Sequence, residues 1–140
     1  MLFRSNYIVS SAKAISNSGS GCSQWYSAIT SPSGAINNVN LTNNTIVTTG
    51  GVCGYWIGNA SNTTIDCMGK SVTGQNSSSS YGIYTSQFNT TIRNCNISNF
   101  GSGIYIDSGA SAALVEDTNI STTRTGDNNV NGFGVLVKTS

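Results

Sequence analysis

Among the side chains with chemistry to offer, the aromatic ones form the most regular pattern. Trp56, Tyr84 and Tyr105 each occupy the third position of a short run: "GYWI" (Gly54–Ile57), "GIYT" (Gly82–Thr85) and "GIYI" (Gly103–Ile106). A fourth run, "GVLV" (Gly134–Val137), puts Leu136 there. If the runs are strands stacked about 4.8 Å apart, the rings form a ladder on one outer face. Such a ladder packs against the C–H faces of sugars while its phenol and indole tips bond hydroxyls. The alternative is that the rings stack on one another and only stabilise the sheet. A second set is charged: Asp66, Arg93 and Glu116 each follow the apolar residue of "TID", "TIR" and "LVE". As catalytic groups they would suit a polysaccharide lyase, with Arg93 as base and the acids holding calcium. However, a calcium site needs several oxygens converging on one ion, and this column alternates in sign. An exposed salt-bridge column is the simpler expectation, worth about 0–1 kcal/mol per pair.

The third set is cysteine: Cys22, Cys53, Cys67 and Cys95. There is no CxxC pair and no histidine, so a zinc site is not expected. Cys67 and Cys95 hold similar places in successive repeats and could be bridged, and Cys22–Cys53 is the other plausible pairing. Buried thiols packed as small hydrophobes are the alternative. The only acids are Asp66, Asp107, Glu116, Asp117 and Asp127, too dispersed for the convergent carboxylates of a hydrolase. No catalytic residue, metal or cofactor is therefore assigned.

Positioning these side chains is the task of a repeat. Ile65, Ile92 and Val115 open one family of strands, at intervals of 27 and 23 residues. The "GxxI" runs form a second family. Variable periods of this size, with only strands and turns in each unit, predict a solenoid whose coils bury their apolar faces by stacking. Alternation along each strand predicts inward ladders Ile83/Ile104/Val135, Ile57/Thr85/Ile106/Val137, Ile65/Ile92/Val115 and Ile97/Ile120. Asn96 and Asn119 align as a candidate internal asparagine ladder. Gly82, Gly103 and Gly134 suit corners with positive φ. The fold class expected is all-β: a right-handed parallel β-helix of about four coils, without complete end caps. Residues 1–34 would be a lead-in segment and 35–140 the β-helix repeats.

The chain has 140 residues, 8% of them charged, with a net charge of +1. Its six basic residues are scattered, which argues against a nucleic-acid partner. No apolar run is long enough for a membrane span. Eight N-x-S/T sequons, at Asn40, Asn43, Asn59, Asn62, Asn76, Asn89, Asn96 and Asn119, mildly favour an extracellular address. The paired "NTT" at Asn62 and Asn89 is too short a threonine array to suggest ice binding. "LFRS" (Leu2–Ser5) matches the translated end of a widely used sequencing adapter, so Met1–Ser5 is expected to be a scar. With "GFGVLVKTS" at the other end, the chain reads as a piece of a longer protein. Uncapped ends would then promote end-to-end self-association.

The stretch "TIDCMGKSVTG…YGIYTSQFNTTIRNCNISNFGSGIYI" resembles the NosD-like and pectate-lyase-like superfamily of right-handed parallel β-helix repeat proteins. The likeness is strongest from Val52 to Asp107. Met68 and Lys70 stand where the family pattern has Asn and His. The resemblance implies a microbial, archaeal-like surface protein. The repeat points to the fold more than to the function; with no histidine and no converging acids, the expectation is a non-catalytic, secreted or cell-surface scaffold whose aromatic stripe offers a polysaccharide- or partner-binding face. Two alternatives remain: part of a polysaccharide lyase, hydrolase or epimerase whose site lies on other coils, or a phage or cell adhesin fibre.

Overall fold

The computed structural model describes residues 7–10, 14–19, 22, 27–31, 36–50, 52–78, 80–121 and 134–138. The Met1–Ser5 segment and Asp127 lie outside them. Every regular element among the described residues is a strand. In chain order these are β1 (Tyr7–Ser10), β2 (Ala14–Gly19), β3 (Ser27–Thr30), β4 (Ile36–Asn37), β5 (Val39–Thr42) and β6 (Thr45–Gly50). There follow β7 (Cys53–Ile57), β8 (Ala60–Ser61), β9 (Thr64–Asp66), β10 (Ser71–Thr73), β11 (Tyr81–Thr85) and β12 (Thr91–Arg93). The last are β13 (Asn96–Ser98), β14 (Ser102–Ile106), β15 (Leu114–Glu116), β16 (Asn119–Ser121) and β17 (Val135–Val137).

Three parallel sheets result, each of five strands: β1-β5-β9-β12-β15, β2-β6-β10-β13-β16 and β3-β7-β11-β14-β17. A small β4-β8 pair lies between the larger sheets in chain order. Every third long strand returns to the same sheet one rung further on, which makes the chain a parallel β-solenoid. Strands β1, β2 and β3 pair with β5, β6 and β7 in these sheets.

The interior is built of ladders. Leu41, Ile65, Ile92 and Val115 stand in register, as do Ile46, Val72, Ile97 and Ile120. In the third sheet Tyr55, Ile83, Ile104 and Val135 form one column. Ile57, Thr85, Ile106 and Val137 form the next. All of these except the members on the last rung are buried. Thr85 fits an isoleucine column because its hydroxyl lies 2.8 Å from that of Thr90, also buried. The Thr90 hydroxyl also donates to the Gln87 carbonyl at 3.1 Å. Two polar groups thus satisfy each other inside an apolar stack.

Asparagine makes the corners. Asn38, Asn62 and Asn89 all have positive φ, and Ala112 continues the series on the next rung. Each donates its backbone N–H across a rung: Asn38 to Ser61, Asn62 to Phe88 and Asn89 to Ser111. Asn76 and Asn99 form a second such corner, Asn76 N–H donating to the Asn99 carbonyl at 2.7 Å. Asparagine tolerates the left-handed region better than other residues with a side chain, so the sharp corners need few glycines.

Two expectations are corrected here. Gly82, Gly103 and Gly134 do not have positive φ; among the described glycines only Gly69 does. Gly82 and Gly103 are required for close approach instead. A Cβ on Gly82 would meet Ile97 and lie 2.6 Å from the Gly103 carbonyl oxygen; one on Gly103 would meet Ile120 and lie 2.7 Å from the Gly134 carbonyl oxygen. Nor are Asn96 and Asn119 an internal ladder. They are in register but exposed, and the Asn96 amide donates to the Gly69 carbonyl at 2.8 Å. The amide-to-amide contact between rungs falls at the Asn62 corner, where Asn89 Nδ2 donates to Asn62 Oδ1 at 2.9 Å.

Candidate functional site

The outer face of the third sheet carries the aromatic cluster. Trp56, Tyr84 and Tyr105 stand in register on β7, β11 and β14, with Thr30 on one side and Leu136 on the other. Trp56 and Tyr84 have centroids 5.7 Å apart and planes 9° apart; Tyr84 and Tyr105, 5.6 Å and 10°. Rungs lie about 4.8 Å apart, so near-parallel rings at these centroid distances are stacked rung on rung with an offset. All three are half-buried.

Tyr81 joins them, a residue that strict alternation along the strand misses. Its ring lies 4.8 Å from that of Tyr105 and 6.4 Å from that of Tyr84. In β11 the order of burial is half-buried, buried, buried, half-buried, buried. Gly82 and Ile83 both turn inward, so Tyr81 and Tyr84 reach the same side despite a spacing of three. The available signal was Gly82 itself, since a glycine before an inward isoleucine marks a break in alternation.

The cluster has a defined floor and rim. The Trp56 indole lies across Gly58, where a Cβ would overlap its six-membered ring. Gly58 is fixed from both sides. Its N–H donates to Ser31 Oγ at 3.2 Å, and its carbonyl accepts from Gln87 Nε2 at 2.6 Å. At the other end Tyr84 donates its hydroxyl to Asp107 Oδ2 at 2.9 Å. Asp107 Oδ1 accepts from the Ser108 N–H at 2.8 Å and lies 3.6 Å from Lys138 Nζ. The Ser108 bond, then the Tyr84 hydroxyl and Lys138, hold the Asp107 carboxyl below its usual range. Burial and the Asp107 charge push Tyr84 up to about 12. The stripe therefore keeps a neutral phenol beside an ionised carboxylate. Such a surface can accept an apolar sugar face and bond its hydroxyls.

The charge column on the first sheet is differently committed. Arg93 Nε donates to Asp66 Oδ2 at 2.9 Å. Asp66 Oδ1 accepts from the Met68 N–H and from Asn94 Nδ2, each at 3.0 Å. These bonds, the Asn94 amide foremost, hold the Asp66 carboxyl below its ordinary range. Glu116 stands in register beyond Arg93 and is exposed. The acids are thus on different rungs with a guanidinium between them, a stabilising arrangement and not a converging one.

The cysteines are joined as Cys67–Cys95 and Cys22–Cys53, with Cα atoms 4.8 and 5.0 Å apart. Cys67 and Cys95 sit at equivalent corners of adjacent rungs, both buried. Among the described residues no group of three or more His, Cys, Asp or Glu could hold a metal, and no helix is long and apolar enough to cross a membrane. Comparison with protein-family models, with curated proteins and with solved structures gave no match.

Proposed function

We propose that this chain is a rigid, non-catalytic solenoid segment of a secreted or cell-surface protein, and that its aromatic face binds carbohydrate. The observation that carries this is the stacked cluster of Trp56, Tyr81, Tyr84 and Tyr105, half-buried on the outer face of the third sheet, with Asp107 at its rim. A contiguous aromatic surface on a rigid sheet is a contact surface by default. The resemblance of Val52–Asp107 to NosD-like repeat proteins supports a surface role. Two disulfides in a chain of this size favour an oxidising compartment. The last rung leaves Val135 and Val137 exposed, which favours association through that end.

The test is a titration of the chain with a broad oligosaccharide panel, following tryptophan fluorescence. At least one glycan should give a saturable change, and Trp56→Ala should abolish it. No response across the panel would remove the proposal. So would an undiminished response in Trp56→Ala, which would place the signal at Trp25.

A further inference from the structure

We propose that Asp107 sets the ligand class of the aromatic face, admitting neutral saccharides and turning away polyanionic ones. This rests on the saccharide reading above.

Among the described residues, Asp107 is the carboxylate that touches the stripe, through the Tyr84 hydroxyl. Asp66 and Glu116 belong to the outer face of a different sheet. Among the described residues the base at the stripe is Lys138, and it already faces Asp107 at 3.6 Å, so these two charges balance each other. A polyuronate carries a carboxylate on every sugar, so it needs uncompensated bases or metal ions along its path. Here it would meet one neutralised lysine and one ionised acid. A neutral sugar faces no such repulsion.

The acceptor count favours a hydroxyl ligand too. A carboxylate has about four lone-pair sites. Asp107 commits two of them in hydrogen bonds, to the Ser108 N–H and the Tyr84 hydroxyl, while Lys138 faces Oδ1 as an ion pair at 3.6 Å. A remaining site can accept a sugar O–H beside the rings. Tyr84, its own hydrogen directed at Asp107 and one lone pair facing Ser86, keeps a second lone pair for a neighbouring hydroxyl. Phenol and carboxylate thus form a paired acceptor for the adjacent hydroxyls of a neutral pyranose.

The experiment measures binding of the full chain by calorimetry at low and high ionic strength. The probes are neutral gluco-, manno-, xylo- and galacto-oligosaccharides, set against polygalacturonate and alginate oligomers. A neutral probe should bind, with affinity changing by no more than about twofold between the two salts. Asp107→Asn should weaken that binding about tenfold or more, by removing a charged acceptor. It should also admit the uronates in a salt-sensitive way, through the freed Lys138. Tyr84→Phe leaves the charges intact, so it should weaken neutral binding without admitting uronates. The Tyr84 variant keeps the test decisive if Asp107→Asn fails to fold. Preference of the native chain for uronates would overturn this inference and leave the saccharide reading standing. So would unchanged affinity and selectivity in a folded Asp107→Asn. Absence of binding by every probe would overturn both.

Discussion

At the scale of single residues, glycine and tyrosine are used for opposite purposes on the same strands. Gly54, Gly82 and Gly103 bring the third sheet against the second, with the added Cβ of Gly54 only 2.5 Å from Val72 Cγ1. Gly82→Ala should therefore overpack the interior and lower stability by about 1–3 kcal/mol, measured by urea unfolding. An unchanged midpoint would mean that the sheets can separate freely. Tyr55 takes the opposite part by filling the interior where its column otherwise holds isoleucine or valine. Burial pushes its hydroxyl up to about 12, against a lowering contact with Asn44. Tyr84 reaches about 12 as well, from burial and Asp107. Both are raised above the ordinary tyrosine value of 10.0, so their neutral forms stabilise the fold fully below pH 10. That stability should be lost as pH rises from 10 towards 12, with late phenolate absorbance from these two groups. Titration of every tyrosine at its ordinary value, with stability flat over that range, would contradict the placement. The sequence made Trp56, Tyr84 and Tyr105 legible because each precedes an inward residue in a repeated run. Tyr81 was not legible, because Gly82 breaks the alternation and only a three-dimensional path reveals its side. Asp107 was equally hidden, since its role depends on a tyrosine one rung away.

At the scale of elements, strands of two to six residues cannot hold their own shape, and the corners must fix the register. The apolar ladders were predictable from spacing alone, because a solenoid repeats the same contact at every rung. The corners were harder to read, because asparagine in the left-handed region and glycine at a close approach look alike as polar, small-residue breaks. The Cys67–Cys95 bridge acts at this level by tying the corner after β9 to the corner after β12. The bridge closes a sequence separation of 28 residues, for which loop-closure entropy gives roughly 3–4 kcal/mol. Cys67→Ala combined with Cys95→Ala should lower stability by about that amount. Its unfolding should also become insensitive to whichever part of a reductant's effect belongs to this bridge. A double variant as stable as the parent would show that the stacked rungs already hold the two corners together.

At the scale of the whole molecule, identical chemistry should have different weight at different rungs. A solenoid is close to a one-dimensional stack, in which a rung gains stability from the neighbour on either side. Ile97 and Ile120 make the comparison direct, being the same residue in the same column of the second sheet. Ile97 is 1% exposed and sits between Val72 and Ile120; Ile120 is only partly buried, on the last rung of its sheet. The gradient is wider in the third sheet, where Ile106 is 7% exposed and its partner Val137 58%. Ile97→Ala removes packing on both sides and should cost about 2–5 kcal/mol. Among the described rungs Ile120 has a neighbour on one side only, so Ile120→Ala should cost less than half as much. Amide hydrogen exchange should grade the same way, with slow exchange in β10 to β13 and faster exchange in β15 to β17. Equal costs for the two substitutions would mean that the last rung is covered as fully as the middle one. The exposed Val135 and Val137 would then be part of a buried contact between copies in solution, and the apparent stability would rise with protein concentration.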